Sequence, residues 1–524
     1  MQTSTSLLDL PDELLDQILA ELKWSAPAAP ALDALQFYEK LTQNTTSVQC
    51  VRLTCRRLAL RASTILLPVA FVSISDPSSV DRLERIASHG AFAPYVKAVH
   101  VCLDFYEPKL TTDIWALAGY LLHVWRGSDL VTGDGGMWAR VFDDWEILRS
   151  GDIGKGGPDR RGEILESYRL LRREHLEYQR RYEAQQRLCP SVVERIAKAI
   201  ARMPRATRLV LDDGPDTPPR LDAVFAPGQG GWLTTPTTWA TAFKLDHGTP
   251  PIDTLFSLPL AVHQAGVRLT ALRIHRLRLP SHFPLWLLPD QDWDSPPPPE
   301  AAKLREACGS LRVFEFTPGY EPDCWYTDSP THLEWPGATT TITRLLQLRE
   351  ALEWILSASG SLTHIQVDLQ MIHGGIPYEL AMPRAPWPHL QVLHQQDGSL
   401  EVTTLTRFLS ATASTLAQLH LDGMFLCSES VGPWPGVTGP YSWASVLDQL
   451  RAHCRDSGGR LIVRLSRPRG AEFDDQTVSK TDMAHIRSLF DPANGGPSAA
   501  DLFIQGLTTC NPVVQFGKTR LLYP

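Results

Sequence analysis

Leu-Thr-His-Ile-Gln-Val-Asp (362–368), Leu-Gln-Val-Leu-His-Gln-Gln (390–396) and Leu-Ala-Gln-Leu-His-Leu-Asp (416–422) share one spacing of apolar residues, and that spacing decides the fold. Leu362, Ile365 and Val367, and again Leu416, Leu419 and Leu421, place a leading apolar residue three positions before a pair that is two apart. Residues two apart fall on the same face of a β-strand, so each pair marks a short strand with one buried face. Leu390 and Leu393 form a weaker copy. The same spacing recurs at Leu269, Leu272, Ile274 and Leu277, at Leu311, Phe314 and Phe316, at Val96, Val99 and Val101, and at Ala206, Leu209 and Leu211. Leu461 to Leu465 is a candidate terminal copy.

Between these strands, residues 80–87, 192–203, 342–357, 402–409 and 441–453 carry apolar residues three and four apart, the helical period. Strand alternating with helix predicts an α/β body with a parallel sheet and helices on its outer face. The steps from Ile365 to Leu393 and from Leu393 to Leu419 match a strand-and-helix repeat of roughly 20–29 residues. Earlier steps are longer because Pro- and Gly-rich stretches interrupt them. The prediction for residues 66–524 is therefore an irregular solenoid.

Two insertions break the pattern. Residues 103–188 form one large insertion ending in a helix, in which Leu165, Tyr168, Leu171, His175, Tyr178 and Tyr182 make a stripe among alternating Arg and Glu. Mixed charge at i,i+4 spacing predicts a solvated helix lying across the body. The interspersed glutamates weaken any affinity for phosphates, so no nucleic-acid partner is expected. Residues 151–162 and 213–250 read as loops, from their content of Gly, Pro, Asp and Thr.

The chain has 524 residues, 43% of them hydrophobic, and a formal net charge of −8, which suits a folded, solvated protein with ample apolar material. Its nine cysteines form no CxxC pair, which argues against a zinc module or a disulfide scaffold. The first residues lack a basic segment before their apolar stretch, and the longest apolar run, Ile65 to Ile74, is interrupted by Pro68. No signal peptide and no membrane span are expected, which leaves cytoplasm or nucleus. Gly154-Lys155-Gly156-Gly157 lacks the Ser or Thr and the leading strand of a phosphate loop. The acid pairs Asp143-Asp144 and Asp474-Asp475 sit in polar contexts and read as solvated. No catalytic residue and no cofactor are assigned.

The N-terminal 65 residues differ in kind. Asp9 is a candidate cap and Pro11 suits a first turn, with Asp12 and Glu13 complementing the helix dipole. Leu14, Leu15, Ile18, Leu19 and Leu22 then recur at helical spacing. A second helix is predicted near 32–41 and a third from about 47 to 63. Leu10-Pro11-Asp12-Glu13-Leu14-Leu15, Ile18-Leu19 and Leu22, followed by Arg52-Leu53-Thr54-Cys55-Arg56-Arg57-Leu58, resemble the F-box motif in the diverged form common among fungal F-box proteins. The resemblance implies a three-helix module over residues 1–65 that docks the Skp-type adaptor of an SCF (cullin–RING) ubiquitin ligase. Matched position by position, it implies adaptor contacts through Leu10, Pro11, Leu14, Leu15, Ile18, Leu19, Leu53, Cys55 and Leu58. The stretch from Trp24 to Thr46 is longer than the compact form, and Leu58 stands where many members carry tryptophan.

The body in turn resembles the leucine-rich-repeat half of such proteins, with the L-x-x-L-x-L core described above. Together the resemblances imply a substrate-recognition adaptor for ubiquitin-dependent degradation, in which no residue of this chain does chemistry. The alternative is a leucine-rich-repeat interaction scaffold whose N-terminal helices merely cap the solenoid. Strand residues between the apolar positions are predicted to face the open, concave side, among them Asp212, Arg273, Glu315 and the histidines His100, His275, His364, His394 and His420. Repeat proteins recognise partners on this side. Gln366, Asp368, His394, His420 and Asp422 are the predicted target-binding patch. No metal site is expected, because the histidines sit on different strands with no evident convergent triad.

Overall fold

A computed structural model describes residues 10–22, 48, 50–126, 136–150, 157–213, 236–237, 239, 251–279, 299–320, 352, 354–358, 360–368, 387–427, 442–471, 473, 488–491 and 496–515. Helices α1 (Asp12–Leu22) and α2 (Arg56–Leu66) come first, with Val48 and residues 50–52 also helical; the helix predicted near 32–41 and the cap at Asp9 lie outside the described residues. Nine strands follow: β1 (Val69–Ser73), β2 (Ala98–Cys102), β3 (Arg208–Asp212), β4 (Ala271–Leu279), β5 (Val313–Tyr320), β6 (His364–Asp368), β7 (Val392–Glu401), β8 (Gln418–Cys427) and β9 (Ile462–Ser466). They form one sheet in strict chain order, and every neighbouring pair is parallel. Each connection therefore steps one strand along in the same direction, which is solenoid topology.

The repeated spacing is what sets the register. Ala70, Val99, Leu209, Leu272, Phe314, Ile365, Leu393, Leu419 and Val463 stand in one row across the sheet. Two residues on, Val72, Val101, Leu211, Ile274, Phe316, Val367, Gln395, Leu421 and Leu465 make a second row. Both rows are buried, Gln395 included. Because a one-residue slip would turn each strand inside out, two apolar rows fix every pairing.

Helices cover the buried face. α3 (Pro77–Ser88) joins β1 to β2; after the insertion, α8 (Val192–Ala201) leads into β3, α9 (Asp253–Gln264) into β4 and α10 (Pro299–Cys308) into β5. α11 (Val402–Thr412) and α12 (Trp443–Asp456) carry the last two crossovers. Val80, Leu83, Ile196, Leu255, Leu304, Leu405 and Val446 from these helices share one continuous core with the strand rows. Local chemistry sets their starts: Asp76 accepts a hydrogen bond from Ser78 N at 2.9 Å with Pro77 at the first helical position, and Ser442 Oγ accepts from Ser445 N at 3.1 Å. Of the helix predicted over 342–357, residues 352 and 354–358 are described, and they are helical. Past β9, α13 (Ala499–Ile504) closes the end, its Phe503 and Ile504 joining Phe473 and Phe490 in the core.

The 103–188 insertion is a small helical unit with a core of its own. α4 (Pro108–Thr112), α5 (Ile114–Arg126), α6 (Gly136–Ser150) and α7 (Gly157–Leu188) bury Leu110, Leu117, Tyr120, Leu121, Phe142, Trp145, Leu171 and Tyr178 together. The predicted solvated helix is thus corrected. α7 buries Ile164, Ser167, Leu171, Glu174 and Tyr178, while Leu165 of the predicted stripe is exposed. Tyr178 Oη accepts from Glu107 N at 2.7 Å, and Gln185 Oε1 accepts from Tyr106 N at 2.7 Å, tying α7 to the segment leaving β2. Asp144 is buried rather than solvated; Ser167 Oγ and Arg160 each donate to it at 2.8 Å. The loop predicted at 151–162 is corrected in part, because residues 157–162 form the first turns of α7; within the loop predicted at 213–250, Thr237 bridges to Phe105 and Trp239 is buried. Residues 151–156, 214–235, 238 and 240–250 and the Asp474-Asp475 pair lie outside the described residues.

Candidate functional site

The face of the sheet turned away from the helices is built from the alternate strand positions, and its central row runs Phe71, His100, Val210, Arg273, Glu315, Gln366, His394, His420 and Arg464. Beside it, Cys102 pairs with Ser73 and Asp212, Asp368 with Gln396, and Gln396 with Asp422. The five predicted target-binding residues, Gln366, Asp368, His394, His420 and Asp422, accordingly lie on three adjacent strands of one face. His394 and His420 are register partners with ring centroids 5.5 Å apart. Asp422 is held by Ser466 Oγ at 2.7 Å and by the Arg467 guanidinium. Arg273 and Glu315, also register partners, make an ion pair at 2.9 Å.

Burial has consequences for the histidine pair. His420 is buried, and this, together with the neighbouring His394 and Arg464, drops its pKa from 6.5 to about 4. Burial also lowers that of His394, against the opposing pull of Asp422. Both rings are therefore neutral at pH 7. A group whose folded pKa lies below its unfolded value resists the proton that the unfolded chain accepts. Its contribution to stability is complete above about pH 6.5 and is lost as pH falls toward 4. For His420 the loss approaches about 3 kcal/mol. Glu107 works the other way, since burial raises its pKa to about 7 and favours the folded state below that pH. The test is thus a difference: denaturant stability of wild type minus His420→Gln, followed from pH 7 to 4.5. We expect wild type to lose stability relative to the variant; a pH-independent difference would refute the assignment.

Three further side chains on this face converge, contrary to the expectation that no histidines would. His100 Nε2 lies 2.6 Å from Asp212 Oδ2, His275 stands on the next strand, and one ligand-type atom from each falls within 4.8 Å of the others. Asp212 and His275 are buried, and the His100 side chain is 12% exposed. Nearby, Ser73 Oγ and Ser75 Oγ donate to Asp104 at 2.7 and 3.0 Å. Burial pushes the Cys102 thiol up.

The N-terminal helices form a second candidate surface. Leu15, Leu19 and Leu58 of the nine predicted adaptor contacts are buried, and Leu19 packs with Val48 and Ala62 against Val51, Leu67 and Phe92. Leu14, Ile18 and Leu53 point outward, Leu53 with 87% of its surface exposed. Pro11 is exposed, Leu10 is half-buried, and Cys55 caps α2 by accepting from Leu58 N. Arg57 donates to Leu10 O at 2.8 Å and, with Arg61, to Asp12, pinning the start of α1 to α2. The bond from Arg57 is the main reason the Asp12 carboxyl is held below its usual range.

No protein-family model, curated protein or solved structure matches this chain. Among the described residues, no helix is long and apolar enough to cross a membrane.

Proposed function

We propose that this chain is a substrate-recognition adaptor of an SCF-type ubiquitin ligase. Its N-terminal helices would act as an F-box that binds a Skp-type adaptor and, through it, cullin. Its leucine-rich-repeat-like body would present a target protein, in the cytoplasm or nucleus. The observation that carries this reading is the division of α1 into two faces. Leu15 and Leu19 fill the interior, while Leu14 and Ile18, one turn apart, stay partly exposed and Leu53 in the second block is largely exposed. Large apolar side chains left in water beside a packed interior fit a partner surface better than a cap alone. The test is co-purification of a Skp-type adaptor and cullin with the full chain, and its loss in a Leu14→Asp/Ile18→Asp variant.

Target recognition is assigned to the sheet face turned away from the helices, at the half-buried Gln366, His394 and Asp422, with Asp368 and His420, which are buried, beside them on the same strands. A His394→Ala/His420→Ala variant should lose captured targets while keeping the Skp-type adaptor. Equal loss from substitutions on the outer face of α11 would place the target elsewhere.

One observation favours the scaffold reading. Leu67 and Phe92 pack on the N-terminal cluster, and the Arg52 guanidinium sits 5.2 Å from the centre of the Phe92 ring. The helices therefore also cover the first repeat. Absence of Skp-type adaptor from the wild-type complex would leave this as the better account.

A further inference from the structure

We propose that His100, Asp212 and His275 form a binding site for one divalent transition-metal ion of the zinc class. The site is a product of the sheet's register. β2 and β3 pair Cys102 with Asp212, β3 and β4 pair Leu211 with Ile274, and so His275 follows next to Asp212. His100 stands one open-face position earlier on β2, opposite Val210. From that position His100 reaches diagonally to Asp212, with its Nε2 2.6 Å from Oδ2. The His100 and His275 rings come within 5.8 Å centre to centre.

The donor set fits a particular chemistry. Two imidazole nitrogens and a carboxylate oxygen suit borderline ions such as Zn²⁺, Co²⁺ or Ni²⁺. All-oxygen sites suit Mg²⁺ and Ca²⁺, and thiolate sites suit Cu(I). Cys102 neighbours Asp212 in the ladder but is not one of the converging groups. Ligand atoms about 2.0–2.2 Å from a tetrahedral zinc stand roughly 3.3 Å from one another. The three here already lie within 4.8 Å, so side-chain rotations alone would close the site around an ion. Arg273, two residues before His275, is held by Glu315 at 2.9 Å, so the guanidinium bordering the site has its charge matched on the far side. Among the described residues three side chains converge, two of them buried and His100 partly exposed, the number of protein ligands that a zinc site using a further donor would have.

The test uses the full chain stripped with chelator and titrated with Zn²⁺ against a chromogenic competitor, then with Co²⁺ while its visible absorption is recorded. One equivalent should bind, and the Co²⁺ spectrum should be that of a four- or five-coordinate ion. Asp212→Asn and His275→Gln, both close in size to the native residues, should weaken Zn²⁺ by more than the roughly 10–100-fold that loss of an outer-shell partner costs. A His89→Ala control, which removes an exposed histidine outside both sites, should bind as wild type does. Zn²⁺ should also raise the melting temperature of wild type and of the control, but not of the two ligand variants. Circular dichroism of the stripped proteins confirms that their fold is intact. Wild-type affinity no greater than that of Asp212→Asn, or an octahedral aquo-like Co²⁺ spectrum, would overturn the proposal and leave His100 and Asp212 as a hydrogen-bonded pair.

Discussion

Replacing Phe314 by alanine is expected to destabilise the body by about 3–5 kcal/mol, the cost of emptying a phenylalanine-sized space in a packed core. Phe314 is fully buried at the centre of the sheet, with Leu272 on one side and Ile365 on the other in the same apolar row. In a sheet whose strands contact only their neighbours, stability is carried from strand to strand. A cavity at β5 therefore weakens the junction between β1–β4 and β6–β9, where no other element in the strand order bypasses it. Denaturant unfolding measures the effect, and Gln366→Ala on the opposite face of the neighbouring strand serves as the control, with an expected change within about 0.5 kcal/mol. A Phe314→Ala cost below about 1 kcal/mol would mean that this position is not in the core.

Most of the sheet was legible in the sequence because period-2 apolar pairs are a local signal. Each pair from Val99 and Val101 to Val463 and Leu465 turned out to lie on the buried face of a strand. β1 was missed although Leu67, Ala70 and Val72 carry the same spacing, because they sit inside the apolar run from Ile65 to Ile74, where apolar neighbours and Pro68 mask the period. α9 and α10 were missed for another local reason. Pro259 lies inside α9, and α10 begins on the last of four consecutive prolines, so both read as breaks. The insertion's core was hidden differently: α7 looks solvated from its Arg and Glu content, yet Glu174 and Glu177 are buried, and Arg180 and Arg181 pair with Glu177. Its inward face keeps Leu171 and Tyr178 of the predicted stripe, leaves Leu165 exposed, and adds Ile164, Ser167 and Glu174, which the charge pattern did not mark.

The sites follow the same division. That His394 and His420 share a face was readable from alternation alone, since both hold the same place in copies of the same spacing. The convergence of His100, Asp212 and His275 was not. Each could be assigned to the open face, but β2 and β3 are separated by the whole 103–188 insertion, and only the pairing register makes them neighbours. A strand order equal to chain order would have supplied the missing step. With it, residues one and two rows apart on successive strands become candidate ligands from the sequence alone.

Within the proposed ligase role, the Leu14→Asp/Ile18→Asp variant is expected to abolish co-purification of a Skp-type adaptor. Burying each native side chain in an interface contributes about 1.5–3 kcal/mol, and the pair together accounts for roughly 10²–10⁴-fold in affinity. Aspartates at these positions add the cost of desolvating unpaired charge. Both residues are partly exposed, at 43% and 42%, so the substitutions remove much less interior packing than changes at Leu15 or Leu19. The melting transition and the circular dichroism of the chain should stay as in wild type. The reverse holds for Leu15→Asp/Leu19→Asp, because those residues are 1% and 5% exposed. That variant should lose the packing of Leu19 against Val48 and Ala62, and with it the local fold, whether or not any partner binds. Comparing the two variants separates a surface that recognises a partner from one that caps the solenoid. Adaptor retained by the folded Leu14→Asp/Ile18→Asp chain would exclude the α1 face as the docking surface. Selective loss there, with the body's stability unchanged, is the result an F-box requires.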